Sequence, residues 1–287
     1  MYKDISVDAL MPQEMAEKAE TLGVRKAALS FWKLFALSVV AGAFIALGAM
    51  FSTITAAGAS TLPYGVARML IGLTFCIGLI LVVVGGAELF TGNILIVMAW
   101  ASRKVSTRAI LRNWVIVYLG NFIGSLGTAA LIFFSKQYTF GDGSVVVSAL
   151  KIAASKMHYG LLQAVVLGVL CNGLVCLAIW LTYSARSTGD KILAIVFPIT
   201  AFVAGSIEHS IANLYFLPYA LFIKNFDPAF VTGLADKAPD LSGLTWGAFF
   251  LKNLLPVTFG NIIGGAGLVA LIYWFVYLHG KSQTDWN

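Results

Sequence analysis

The sequence predicts an all-α membrane protein of six transmembrane helices, built from two three-helix repeats of opposite orientation. The chain has a mean hydropathy of +0.87. It is 59% apolar and only 11% charged, whereas soluble domains are about half apolar and about a quarter charged. Six apolar windows are each long enough to cross a bilayer of about 30 Å, which takes roughly 20 helical residues. Similar motifs also recur in the two halves of the chain.

The residues before the first window carry charges of both signs and lack an apolar core, so we expect no cleavable signal peptide there. Pro12 at a helix start and Gly23 further on indicate a short amphipathic helix, either a solvated collar or a mobile lid below a channel mouth. The windows follow at 34–54, 69–98, 113–134, 158–182, 192–216 and 253–279. The predicted divisions are an N-terminal segment 1–30, a channel domain 31–280 with repeats 31–134 and 157–280, and a tail 281–287.

The distribution of Lys and Arg predicts the orientation of the chain. Basic residues cluster before the first window, between the second and third, and between the fourth and fifth. Because cytoplasmic loops are enriched in Lys and Arg, both termini are predicted to be cytoplasmic. The net charge of +6 follows from this bias, and no basic run with interleaved aromatics supports a nucleic-acid partner.

The three cysteines, Cys76, Cys171 and Cys176, all lie in apolar windows and show no Cys-x-x-Cys spacing. We therefore interpret them as small buried side chains and expect no disulfide framework, no metal site and no cofactor.

An internal repeat relates the two halves of the chain. The third and sixth windows share the pattern Gly-Asn-x-Ile-Gly, at 120–124 and 260–264, each preceded by an asparagine seven residues earlier. The second and fifth windows share a glutamate followed five residues later by an asparagine, and a weaker match pairs 39–42 with 165–168. Three helices per repeat is an odd number, so the second copy must enter the membrane the other way up. Such repeats place the transport site near the membrane midplane.

Two acidic residues, Glu88 and Glu208, lie inside the windows at equivalent repeat positions. Glycine, hydroxyl and amide residues surround both, and these are poor helix formers. We therefore predict that the second and fifth helices are interrupted there, where freed N–H groups and the positive end of a half-helix would attract an anion. The glutamates themselves would repel an anion. We expect them to accept hydrogen bonds from the broken backbone and to fix its shape.

A histidine and a threonine near these interruptions are not duplicated. The repeat counterpart of His209 is Leu89, and the counterpart of Thr91 is Ile211. An unduplicated polar pair on a duplicated frame predicts one central site with a protonatable donor and a hydroxyl donor, although a satisfied core histidine is the alternative. A weak-acid anion could cross there as the neutral acid, after proton donation by His209, or as an anion screened by both side chains.

Three segments resemble the signatures of the formate/nitrite transporter family: GAELFTG at 86–92, GVLCNGLVCLA at 168–178 and EHSIAN at 208–213. The resemblance extends over roughly residues 20–280. It implies an aquaporin-like six-helix protomer, assembled as a homopentamer in the bilayer of a bacterial inner membrane, with a pore in each protomer. It also implies bidirectional passage of formate and similar small anions, with nitrite or hydrosulfide as alternatives. A cytoplasmic formate-metabolising enzyme is a conceivable partner.

The resemblance further implies which residues line the pore. The substrate pathway would contain four polar residues: Thr91, His209, Asn172 and Asn261. Two apolar constrictions would flank it, formed by Phe75, Leu79 and Phe202 on one side and by Leu89, Phe90 and Val175 on the other. Lys156 would lie in an external vestibule and concentrate anions there, an effect that salt should weaken.

Two other classes of protein fit the sequence less well. An aquaporin-type solute channel should carry two Asn-Pro-Ala segments, and the nearest sequence here is the loop segment 227–229. An intramembrane metalloprotease needs His-Glu-x-x-His on one helix, whereas Glu208 and His209 stand in the reverse order. Ser206 and Ser210 could partner a histidine in a serine protease, but they fit hydrogen bonding at a helix break equally well. We therefore predict that the chain is not an enzyme.

Overall fold

The computed structural model describes residues 9–280, and every regular element in that part of the chain is helical. The predicted tail 281–287 and the first eight residues of the predicted N-terminal segment lie outside the described residues. The helices are α1 Pro12–Ala27, α2 Phe31–Ala56, α3 Tyr64–Gly85, α4 Phe90–Ala101, α5 Thr107–Phe134, α6 Ser144–Met157, α7 Leu161–Tyr183, α8 Thr188–Ala204, α9 Ser210–Phe226, α10 Pro228–Gly233 and α11 Trp246–Tyr277.

Local sequence explains where several of these helices begin. Pro12 opens α1, and Glu14 in its first turn accepts a hydrogen bond from the backbone N–H of Met11 at 2.7 Å. Ser187 caps α8 through its hydroxyl, and the carboxylate of Asp190 accepts the N–H of Ser187 in return. This reciprocal arrangement satisfies two backbone donors that a helix start leaves unpaired.

Five helices in residues 9–280 are long and apolar enough to cross a membrane, namely α2, α3, α5, α7 and α11. The second and fifth predicted windows are both interrupted. The second becomes α3 and α4, separated by residues 86–89, and the fifth becomes α8 and α9, separated by residues 205–209. Both interruptions surround the glutamates that predicted them.

Helix α6 was not predicted, because its segment contains no long apolar window and resembles a loop by that criterion. One face of α6 is buried, formed by Val146, Ala149, Leu150 and Ala153. The spacing of these residues is that of an amphipathic helix. Three residues separate α6 from the long apolar helix α7, just as three separate α1 from α2.

Glycines allow two pairs of helices to pack backbone against backbone. A Cβ atom on Gly124 of α5 would lie 1.9 Å from the carbonyl oxygen of Val39 in α2. A Cβ atom on Gly264 of α11 would lie 2.1 Å from the carbonyl oxygen of Val169 in α7. These contacts are far closer than any side chain permits, so α2–α5 and α7–α11 form equivalent close pairs.

The weaker sequence match, of 39–42 with 165–168, is wrong by four residues. The glycine contacts pair Val39 with Val169 instead. Four residues are close to one helical turn of 3.6 residues. The mistaken alignment therefore placed similar valine-rich segments on almost the same helix face.

Candidate functional site

Each of the two helix interruptions contains a residue with a positive φ, but the residue type differs. Residue Gly86, after α3, has a φ of 73°, which costs glycine little. Ser206, after α8, has a φ of 55°, a conformation that a residue with a Cβ atom adopts only when neighbours hold it. Arg68 of α3 supplies that support. Its Nε donates to Ala204 O at 3.1 Å, and its Nη2 donates to Ser206 Oγ at 2.8 Å and also to Val203 O.

An ion pair braced by two asparagines lies at the first interruption. Lys26 Nζ of α1 is 2.7 Å from Glu88 Oε1. Asn93 Nδ2 donates to Glu88 Oε2 at 2.7 Å and to Asn113 Oδ1 at 3.0 Å. The carboxylate is therefore paired and hydrogen-bonded, which is how a buried charge is tolerated.

The second interruption repeats this arrangement. Lys156 Nζ of α6 is 2.6 Å from Glu208 Oε1. Asn213 Nδ2 donates to Glu208 Oε2 at 2.7 Å and to Asn253 Oδ1 at 2.7 Å. The matched bonds thus include α1 and α6, which the sequence comparison did not pair.

The sequence interpretation expected the glutamates to accept hydrogen bonds from the broken backbone, but within residues 9–280 the structure shows no such bonds to their carboxylates. Their carboxylates accept bonds from lysine and asparagine side chains, and the backbone is held by Asn121 and Asn261 instead. Each of these asparagines accepts the first N–H of the following half-helix, α4 or α9, at 2.9 Å. Each also donates at 3.0 Å to the carbonyl oxygen of Glu88 or Glu208, respectively.

Sequence reasoning therefore missed several residues of the site. The ion pairs and their braces include five residues that were not proposed for it: Lys26, Asn93, Asn113, Asn213 and Asn253. The recurring asparagines were already visible in the repeat. They were interpreted only as an alignment signal and not as ligands of the glutamates.

The unduplicated pair, Thr91 and His209, is in direct contact. Thr91 Oγ1 lies 3.0 Å from His209 Nε2, and His209 Nδ1 accepts the backbone N–H of Ala212 at 3.0 Å. This second bond assigns the imidazole proton to Nε2, which donates to Thr91. The threonine hydroxyl hydrogen then remains available to another acceptor. Both side chains are buried, and their contact joins the two interruptions.

Several backbone donors in the residues next to this contact are unused. The N–H groups of Leu89, Thr91 and Gly92, and those of His209 and Ile211, have no hydrogen-bond partner within residues 9–280. They belong to the first turns of α4 and α9, where a helix leaves N–H groups unpaired and carries a partial positive charge. The starts of α4 and α9 therefore carry donors that the fold itself leaves unused.

Two cavities approach the site along different helices. The first, which we call the His209 cavity, has a volume of about 260 Å³ and lies among α3, α6, α8 and α9. The second, the Leu89 cavity, has a volume of about 410 Å³ and lies among α1, α3, α4 and α7. Each contains the ion pair of its own interruption, so Lys156 does line a cavity beside the site.

Helix α3 lines both cavities, so the thickness of the barrier between them can be measured along this helix. Phe75 is its last residue in the His209 cavity, and Val82 is its first in the Leu89 cavity. These two are seven residues apart, which is roughly 10 Å at 1.5 Å per helical residue. Leu79 lies within this stretch, lines neither cavity and is buried.

The predicted constriction residues occupy three kinds of position. Phe75 and Phe202 line the His209 cavity, with their ring centroids 5.4 Å apart and their planes perpendicular. Leu89 lines the Leu89 cavity. Val175, like Leu79, is buried and lines neither cavity. Apolar side chains therefore separate the two cavities.

Phe90 does not lie on the wall of either cavity. Its ring packs against Tyr118 and Trp114 of α5, at centroid distances of 4.9 Å and 6.1 Å. Successive helical residues point about 100° apart, and the neighbouring Leu89 occupies the cavity side. The structure thus places Phe90 in the packing between α4 and α5.

The two asparagines predicted for the pathway are both fully buried. Asn172 Nδ2 donates to the carbonyl oxygens of Thr91 at 3.3 Å and Asn261 at 2.8 Å. Its Oδ1 has no partner among the described residues. Asn261 uses its own amide to hold the second interruption, and neither residue lines a cavity.

Long apolar helices, two interrupted helices and a polar contact between opposing cavities define a membrane protein with a candidate solute pathway through a single chain. The Formate/nitrite transporter family model matches residues 13–275. The chain belongs to this family and is embedded in a membrane.

Individual relatives agree with this assignment. The chain is 42% identical over 284 residues to the formate channel FocA of Escherichia coli (strain K12), covering 99% of this chain and 100% of that protein. A solved structure described as a pentameric formate channel with formate bound has 42% identity and a TM-score of 0.81, covering 86% of this chain and 98% of its own. An FNT family ion channel has 28% identity and a TM-score of 0.78, with 92% and 98% covered. The family and these relatives are transporters and channels, and the chain is not an enzyme.

Proposed function

We propose that this chain is a formate channel that passes small monovalent weak-acid anions in either direction, through a pore in each protomer of a homopentamer. The contact between Thr91 and His209 carries the proposal, because it joins the two helix interruptions between two cavities. The similarity to formate channels supports formate as the anion. Nitrite and hydrosulfide are the alternatives within the family, because the same donors could hold them.

The proposed architecture has six membrane spans in two inverted repeats. The spans are α2, α3 with α4, α5, α7, α8 with α9, and α11. Matched ion pairs and matched glycine contacts support the repeat, and its odd number of spans requires the second copy to be inverted. With basic loops facing the cytoplasm, both termini lie on the cytoplasmic side of a bacterial inner membrane.

In the proposed pathway, an anion leaves one cavity, passes the apolar barrier and meets the unused donors at the starts of α4 and α9. Water is largely excluded there, so each fixed donor interacts strongly with a charge. The Thr91 hydroxyl and the neighbouring N–H groups replace part of the anion's hydration. Phe75 and Phe202 limit the size of the solute on one side, and Leu89 limits it on the other.

His209 acts in this proposal as a neutral donor that orients Thr91. A proton lost from Nε2 would have to be replaced at Nδ1, where the N–H of Ala212 already donates. Proton transfer to the anion would therefore first break that bond. The hydrogen bonds thus favour passage of a screened anion over protonation by His209.

The experiment compares formate flux into proteoliposomes for wild type, H209Q, H209N and H209F at external pH values between about 5 and 8. H209Q can keep an amide donor near the position of Nε2, whereas H209F removes the donor. We expect H209F to lose roughly tenfold or more in flux, the equivalent of a lost hydrogen bond to a charged group. H209Q should retain more flux and the pH dependence of the wild type.

T91S and T91V form a matched pair for the hydroxyl. T91S should conduct like wild type and T91V should behave like H209F. If H209Q and H209N lost a pH dependence that the wild type possesses, protonation by His209 would replace the screened-anion mechanism. A wild-type protein without formate flux would refute the proposed function.

A further inference from the structure

The lysine that the family resemblance assigned to the vestibule does not offer its charge freely in this structure. Lys156 Nζ is 2.6 Å from Glu208 Oε1, and the lysine side chain is only 14% exposed. The other carboxylate oxygen is bonded to Asn213 and Asn253. Lys156 and Glu208 together carry no net charge, so this pair adds little attraction for an anion entering the cavity.

Two other basic residues, Arg68 and Lys151, line the same His209 cavity. Neither has a carboxylate within ion-pair distance among residues 9–280. The bonds of Arg68 go to neutral groups, the carbonyls of Val203 and Ala204 and the hydroxyl of Ser206. Arg68 therefore keeps its full positive charge, and its Nη1 takes no part in these bonds. That nitrogen carries two further N–H donors.

The position of Arg68 also changes the charge that the C-terminal end of α8 presents to an anion in the cavity. A helix C-terminus exposes unpaired carbonyls and a partial negative charge. Arg68 covers two of the terminal carbonyls of α8, so the cavity presents a guanidinium in their place.

In the described part of the chain, the Leu89 cavity contains no arginine bonded to the carbonyls at a helix end, as Arg68 is bonded to those of α8. Besides its Lys26–Glu88 pair, the basic residue that lines it is Arg25. The two cavities contain equivalent ion pairs, but they differ in their other basic side chains. Two basic side chains stand free of ion pairs in one cavity and a single one in the other.

We propose that Arg68 and Lys151 form a docking site for a small monovalent carboxylate, such as formate, in the His209 cavity ahead of Phe75 and Phe202. Arginine suits this role because its planar N–H groups match a carboxylate. The cavity of about 260 Å³ has room for such an anion with several waters, at about 30 Å³ each. The site deepens the proposed channel function and rests on it.

A flux measurement tests the electrostatic part of the proposal. Formate uptake would be measured against formate concentration at about 10 mM and about 500 mM salt for wild type, K151Q, R68K and R68Q. At low salt, K151Q should raise the half-saturating concentration by roughly threefold without changing the maximal flux, because a charge several ångströms away is lost. High salt should remove most of the difference, since it shortens the screening length from about 30 Å to below 10 Å.

The arginine variants separate charge from geometry. R68K keeps a positive charge but cannot make the three bonds of Arg68, so it should lower the maximal flux with little change in half-saturation. R68Q should affect both. K237Q is the matched control, because Lys237 lines a neighbouring cavity and not this one, and it should behave like wild type.

A binding readout distinguishes failure of the site from failure of the channel proposal. Broadening of the ¹³C-formate NMR line by detergent-solubilised protein should be clear for wild type and K237Q, and reduced for K151Q and R68Q. Binding with this variant pattern but without flux would refute the channel and leave the docking site standing. Flux and line broadening in K151Q that match wild type at both salt concentrations would overturn the site. Because K151Q changes an exposed residue, this outcome can be interpreted whether or not R68Q folds.

Discussion

At the residue scale, Glu208 is the most deeply buried charged side chain among residues 9–280. It is 1% exposed, and its two carboxylate oxygens accept bonds from Lys156, Asn213 and Asn253. Removing one partner of a buried pair leaves the other charge without compensation, which typically costs about 3–5 kcal/mol. Replacing both partners by neutral groups avoids that penalty. The Lys156–Glu208 pair is therefore strongly coupled.

We expect K156Q to lower the free energy of unfolding by roughly 3–5 kcal/mol, and the double variant K156Q/E208Q to recover most of that loss. Chemical unfolding in detergent micelles measures both. K136Q is the control, because Lys136 is 57% exposed in its pair with Asp227 at 3.1 Å, and pairs made by exposed side chains contribute little. Additive losses in the double variant would show that the two charges are not coupled as the structure implies.

At the scale of helices, glycine contacts set the distance between α7 and α11 and between α2 and α5. Gly264 and Gly124 bring a backbone within about 2 Å of where a Cβ would stand. In contrast, Gly267 and Gly127, three residues later on the same helices, have no atom within 4 Å of that position. Each close contact thus has a control on the same helix.

We expect G264A to destabilise the protein by about 1–3 kcal/mol, because the added methyl forces α11 away from Val169. G267A should be close to neutral in the same thermal unfolding assay. The pair G124A and G127A repeats the comparison in the other half of the chain. Equal melting temperatures for G264A and G267A would mean that the helix pair can separate without cost.

At the scale of the whole molecule, a duplicated frame holds a site that is not duplicated. Both interruptions have a Lys–Glu ion pair, and at both an asparagine accepts the first N–H of the following half-helix. The polar contact between them uses a threonine from one half and a histidine from the other. A complete site therefore forms within one chain, which supports the proposal of a separate pore in each protomer.

Mixed oligomers test that arrangement. Wild type would be co-expressed with T91W, which should block the pore of its own protomer, at several known ratios. With one pore per protomer, formate flux per oligomer should fall linearly with the blocked fraction. Wild type carrying the purification tag of T91W is the control and should show no decline. A much steeper fall would indicate a single pathway shared by the subunits.

The sequence predicted those structural features that depend on short local motifs repeated in the two halves of the chain. The glutamates with their glycine-rich surroundings predicted both interruptions, and comparison of the halves drew attention to Thr91 and His209. The reason is physical: poor helix formers break a helix locally, and burial of a carboxylate needs an explanation wherever it occurs.

Other features depend on contacts between distant parts of the chain. Lys26 and Lys156 pair with their glutamates from α1 and α6, which lie outside the apolar windows. No local sequence pattern predicts such a contact. Arg68 was not among the predicted site residues, although it covers the end of α8. The direction of the Phe90 ring depends on where α4 begins, and a helix boundary is uncertain by a residue or two in any sequence interpretation.

Because the two halves of the frame match, the central polar pair could be built in either of two orientations. The four positions concerned are Leu89, Thr91, His209 and Ile211, and they exchange places when the two halves are interchanged. The unused N–H of Gly92 already stands where an imidazole at position 89 would need a donor. Four substitutions, L89H, T91I, H209L and I211T, would therefore rebuild the pair facing the opposite way.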